Sequence, residues 1–84
     1  MTEIEVLMCR YALEALDELG AGLPEKPLMD QVERTSHRIL TTMERGRILK
    51  HHEDEEWVYT YRDKYTDAVT YAISEQGRTA MLGM

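Results

Sequence analysis

Apolar residues recur at three- and four-residue spacing from Thr2 to Leu19. Ile4, Leu7, Met8, Tyr11, Ala15 and Leu19 fall on one helical stripe, which Val6, Leu13 and Leu16 widen. The spacing predicts a first helix with this stripe turned into the core. Thr2 stands where an N-cap belongs, Glu3 and Glu5 suit the positive helix end, and Gly20 with Gly22 ends it. Beyond the linker AGLPEKP, Leu28, Met29 and Val32 predict a short second helix of about two turns ending near Glu33. Lys26 is extended ahead of it, and Pro27 is its first helical residue. A third helix is expected from Thr35 to Arg45, capped by Thr35 or Ser36, with Ile39, Leu40 and Met43 facing inward. Gly46 would stop it before an apolar strand start.

The period then changes to two. Trp57–Arg62 and Ala68–Ile73 alternate and are rich in aromatic and β-branched residues, and Asp63, Lys64, Tyr65 and Thr66 supply a polar turn between them. This predicts a hairpin with Trp57, Tyr59 and Tyr61 on one face and Val58 and Thr60 on the other. Ser74 is placed to cap a last short helix, SEQGRTAML, which groups Ala80, Met81 and Leu82. There is no internal repeat, and HHEDEE is the one biased run.

A chain of 84 residues has room for a single small domain, 1–84, of α+β class. The lone Cys9 excludes an internal disulfide framework and a multi-cysteine metal site, and inside the first helix it reads as a small core residue. No apolar run reaches the roughly 18 residues that span a bilayer. The start MTEIEVLM lacks the positive charge of a secretory signal. A soluble, cytoplasmic protein with no membrane contact is expected.

Charge sharpens the picture. The formal net charge is -6. Residues 1–33 hold two cations against eight carboxylates, residues 34–52 five against one, and residues 53–67 two against six. Only the middle segment is basic, so any contact with DNA must be focused and salt-sensitive, because phosphate neutralisation dominates such affinity.

Two stretches carry a family resemblance. RILTTMERGRIL (38–49) is similar to a recognition helix with the turn into a wing. YAISEQGRTAML (71–82) is similar to a second wing strand running into a helix with an (I/L)(T/S)xxG(R/K)xAL pattern. Together they resemble the winged helix-turn-helix superfamily, especially small regulators of the PadR and MarR type. The resemblance implies a three-helix core, a two-stranded wing hairpin and a short C-terminal helix. It also implies a transcriptional regulator that binds double-stranded DNA through the third helix in the major groove and the wing.

Mapped on this chain, Arg38 is the candidate for a bidentate guanine contact, and Ser36, His37, Thr41 and Thr42 for base or phosphate contacts. Arg34 and Arg45 would hold the DNA backbone, and Arg62, Lys64 and Tyr65 would sit at the wing tip. A homodimer through the first and last helices is implied as well.

The competing reading is an acidic protein-binding winged helix, an interaction module or phage-type inhibitor that presents Glu53–Glu56 and the first helix's carboxylates in place of phosphates. It predicts internally paired arginines, whereas DNA binding predicts cations on an open face. His51 and His52 beside Glu53 and Asp54 carry metal-ligand chemistry. On an extended segment, however, neighbouring side chains diverge, and a solvated, pH-sensitive linker is expected there. No phosphate loop, nucleophile elbow or H-E-x-x-H motif is present, so catalysis, a cofactor and a metal are not expected.

Overall fold

A computed structural model of the chain describes residues 2–84. The Thr2 hydroxyl accepts the Glu5 N–H at 3.1 Å and starts helix α1, Glu3–Leu19. Gly20, at φ 69°, ends α1 in the left-handed region, where a Cβ is disfavoured. Strand β1 follows, only Leu23–Pro24, and leads into helix α2, Glu25–Ser36. After a five-residue connection, helix α3 runs Thr42–Asp54. Strands β2 (Val58–Arg62) and β3 (Val69–Ile73) form the hairpin, and helix α4, Glu75–Leu82, closes the chain. The Ser74 hydroxyl caps α4 by accepting the Gly77 N–H.

The sheet is antiparallel in the order β1-β3-β2, with Leu23 opposite Tyr71 and Val58 opposite Ile73. Pro24 lacks a donor and is tolerated because β1 is an edge. The core gathers Met8, Cys9, Leu13 and Leu16 of α1, Leu28, Met29 and Val32 of α2, and Ile48 and Leu49 of α3. Val58 and Ile73 close it from the sheet. This is an α+β winged helix, with three helices packed together and the hairpin beside them.

Several expectations are corrected. The buried face of α1 is Met8, Cys9, Ala12, Leu13 and Leu16, while Ile4, Leu7 and Leu19 are exposed. The small residues Cys9 and Ala12 are fully buried, so the true core stripe is rotated from the line of large apolar side chains. Helix α2 begins two residues before Pro27 and includes Lys26. Pro27 sits within the first turn, where its missing N–H is unneeded. The same helix runs on through Ser36, so Thr35 and Ser36 close α2 and do not cap α3. Helix α3 spans Thr42–Asp54, not Thr35–Arg45, and Gly46 lies within it. Ile39 and Met43 are exposed, and of the three expected inward residues only Leu40 is buried. The two-residue β1 was not expected at all, because so short a strand leaves no alternation to detect.

Candidate nucleic-acid interface

The approach of α3 to α2 is fixed by one carboxylate. Glu33 accepts the Leu40 N–H at 2.6 Å through one oxygen and the Arg45 guanidinium at 2.8 Å through the other. Arg45 reaches Asp30 as well, at 3.2 Å. Lys26 and Arg45, both donating to it, hold the Asp30 carboxyl below its usual range. Arg45 is thus a largely buried strut between α2 and α3. Its expected place on the exposed side is corrected, because the helix phase turns it toward α2. The connection itself runs through His37, whose φ of 58° ends α2 in the left-handed region.

Helix α3 starts with a reciprocal cap. The Thr41 hydroxyl accepts the Glu44 N–H at 3.1 Å, and the Glu44 carboxylate accepts the Thr41 N–H at 3.0 Å. Those contacts hold the Glu44 carboxyl below its usual range, and the charges of Arg38 and Arg47 add to the effect. Helical spacing then puts Met43, Gly46, Arg47 and Lys50 on the face opposite Ile48, Leu49 and His52. Arg47 is tethered to Glu5 of α1 at 3.1 Å and Lys50 to Asp54 at 3.2 Å, yet both cations remain well exposed. Among the described residues, Arg34, Arg38 and Lys64 have no carboxylate within 4 Å. Arg34 instead donates to the Gln31 side chain.

The far end of α3 is anchored inside the domain. His52 is fully buried and its Nε2 lies 3.2 Å from the Cys9 carbonyl, so this nitrogen carries the proton. Its Nδ1 has no partner among the described residues. Burial lowers its pKa to about 4, against the opposing pull of the Cys9 carbonyl, with a smaller lowering from His51. Burial likewise pushes the Cys9 thiol up to about 12, helped by Glu5, which leaves it protonated and unreactive. His51 meets the Trp57 ring edge-on at 5.1 Å. The expected solvated linker is therefore corrected: both histidines are helical, and one is a core residue tying α3 to α1.

In the wing, the Asp63 carboxylate accepts the Tyr65 and Thr66 N–H groups at 2.7 and 3.0 Å and shapes the turn. Those donors, Thr66 first, hold its carboxyl below the usual range. Arg62 donates to the Asp67 carbonyl at 3.0 Å and lies 3.6 Å from its carboxylate, with both side chains exposed. Tyr65 is 96% exposed at the tip. Tyr59 and Tyr61 share a face, as expected from the alternation, with ring centroids 6.3 Å apart.

No protein-family model matches the chain. No curated protein matches it either. Among solved structures, TA0346 from Thermoplasma acidophilum, a protein described as a candidate transcriptional regulator, superposes with a TM-score of 0.74 over 95% of this chain and 76% of its own, at 17% identity. The likeness is one of fold.

On the winged helix, the sequence-predicted residues divide as follows. Thr42 lies exposed on the first turn of α3, and Thr41 spends its hydroxyl on the cap. His37 and Arg38 stand exposed in the connection before α3, not on the helix. Ser36 is the last residue of α2, its hydroxyl donating to the Glu33 carbonyl. Arg34 lies on the exposed side of α2, and Arg62, Lys64 and Tyr65 are at the wing. The sequence reading missed Met43, Gly46, Arg47 and Lys50 as a surface. The signal that finds them is Thr41-x-x-Glu44, the spacing of a capping box, which starts the helix six residues later than Thr35.

Proposed function

We propose that the domain is a transcriptional regulator that binds duplex DNA, as small PadR- and MarR-like proteins do. It would present the solvent face of α3 to the major groove and the hairpin to the flanking backbone. One observation carries this reading: of the three cations free of carboxylates among the described residues, Arg38 and Lys64 stand at the entrance to α3 and at the wing tip, and Arg34 lies on the exposed side of α2. Glu44, the sole carboxylate in the first ten residues of α3, is turned back on its own cap. Arg38, lying in the connection, suits a phosphate or groove-edge contact, and Arg47 and Lys50 face the groove itself. Arg34, Arg62, Lys64 and Tyr65 would contribute backbone contacts from the rim.

Ile4, Leu7 and Leu82 leave apolar surface on α1 and α4, which supports a homodimer through those helices. The protein-binding alternative is favoured by Arg45, locked between Asp30 and Glu33, and by the exposed carboxylates Glu53–Glu56.

A gel shift with mixed-sequence duplex at low salt separates the two. Wild type is expected to shift DNA, with affinity falling steeply as salt rises. Arg38→Ala should weaken binding about tenfold and flatten the salt slope by about one unit. Sedimentation equilibrium of the same preparation should read twice the monomer mass. An unshifted duplex rejects the regulator, and a monomeric mass rejects the dimer.

A further inference from the structure

At the start of α3 the surface is apolar where the rest of that face is cationic. Ile39, two residues before the N-cap, is 90% exposed, and Met43, two residues after it, is 73% exposed. Neither contributes to the core, and water gains nothing from them. Large apolar side chains left this open mark a contact surface when they are grouped and rimmed by charge. Arg47 and Lys50 share the Met43 face of α3, and Arg38 lines a shallow surface pocket with Ile39 that Arg34, Asp30 and Glu33 also border.

Gly46, one turn beyond Met43 on the same face, adds a second observation. Its backbone is ordinary helix, and a Cβ built there meets nothing within 4 Å. The fold therefore has no need of glycine at this position, although glycine inside a helix is less stable than alanine. What glycine does provide is a bare stretch of helix surface that another molecule can approach closely.

Resting on the DNA reading above, we infer that Ile39 and Met43 read thymine 5-methyl groups in the major groove, with Gly46 giving the clearance that brings α3 close enough. The thymine methyl is the one apolar group that duplex DNA displays in that groove, and it is recognised by apolar contact. The surrounding cations match the phosphates on either side of such a groove. Arg38, which has no carboxylate within 4 Å among the described residues, meets its counter-charge in the phosphates of a duplex.

The test is to select duplexes from a randomised 20-base-pair pool, then resynthesise the winners with deoxyuridine in place of thymidine, which deletes only the methyl. Wild type should lose roughly fourfold in affinity for each contacted methyl. Met43→Ala should lose the part of the preference that its own methyl contact supplies, the Ile39→Ala/Met43→Ala double variant should bind both forms alike, and Met43→Leu should restore the wild-type preference. Gly46→Ala should raise the melting temperature by about 4–8 °C while weakening binding to the selected duplex. Equal wild-type affinity for the two forms overturns the inference and leaves DNA binding intact. So does an Ile39→Ala/Met43→Ala double variant that keeps the preference, or one whose sedimentation mass changes instead. Failure to enrich any duplex overturns the DNA reading itself. A Gly46→Ala variant that binds as wild type removes the clearance role.

Discussion

Gly77→Ala is expected to destabilise the domain by on the order of 3 kcal/mol or more, a large share of what so small a fold possesses. An added Cβ at Gly77 would overlap the Trp57 carbonyl oxygen and come within 2.9 Å of the Ile73 Cγ1 and 3.0 Å of the Trp57 carbonyl carbon. Trp57 cannot simply step aside. Its carbonyl accepts the Ser74 N–H at 3.0 Å, and the Ser74 hydroxyl donates to the Glu56 carbonyl at 2.6 Å while capping α4 through the Gly77 N–H. The first turn of α4 is thus stitched backbone to backbone onto the start of the wing. A methyl group at Gly77 pushes that turn off its seat and breaks the stitching. Urea unfolding should show the midpoint falling sharply, in contrast to Gly46→Ala, where the same substitution meets open space. A Gly77→Ala protein within about 0.5 kcal/mol of wild type would show that α4 slides without loss.

Acid should also destabilise the domain through His52. The native ring holds its pKa near 4, because burial disfavours the charged form, against the ordinary value of 6.5. Above pH 6.5 both native and unfolded chains carry a neutral ring, and the contribution is complete. As pH falls below 6.5 the unfolded chain takes up a proton that the native ring refuses, so stability is lost until pH nears 4. The difference corresponds to roughly 3 kcal/mol over the whole window, and about 2 kcal/mol of it falls between pH 6.5 and 5. Asp30, Glu44 and Asp63, whose carboxyls are held low, add their losses mainly at lower pH. Cys9 stays a neutral thiol throughout. Urea midpoints should therefore drop between pH 6.5 and 5 in the wild type, and the slope should flatten in His52→Leu, whose side chain fills the same apolar site. A wild-type profile that is flat across this window would contradict the buried neutral histidine.

Local signals wrote much of this fold plainly. The caps at Thr2 and Ser74 and the left-handed stop at Gly20 are short-range chemistry, and each is found where its side chain or backbone freedom demands. The hairpin was equally legible, because the Trp57–Arg62 and Ala68–Ile73 alternation has only one way to sit on a pleat. What misled was position within longer patterns. In α1 the large side chains Ile4 and Leu7 outweigh Cys9 and Ala12 to the eye, but it is the small pair that lies fully buried in the core. In α3 a glycine before Ile48 and Leu49 looks like a helix stop. The capping box at Thr41 and Glu44 and the tertiary seats of Ile48 and His52 carry the helix straight through it. That one shift moved Arg45 from the surface to a strut, and it brought Arg47 and Lys50 out to the open face. Ion pairing across helices, as between Arg45 and Glu33, has no period along the chain. It becomes visible only when α2 and α3 are placed.

The most direct measurement is amide-resolved NMR of the domain titrated with duplex DNA at low salt. The account predicts that shifts concentrate in the connection from His37 to Thr41, along Thr42–Lys50 and at the wing tip around Lys64, fading as salt is added. Shifts absent throughout, or gathered instead on Glu53–Glu56 and the acidic side of α1, would contradict it.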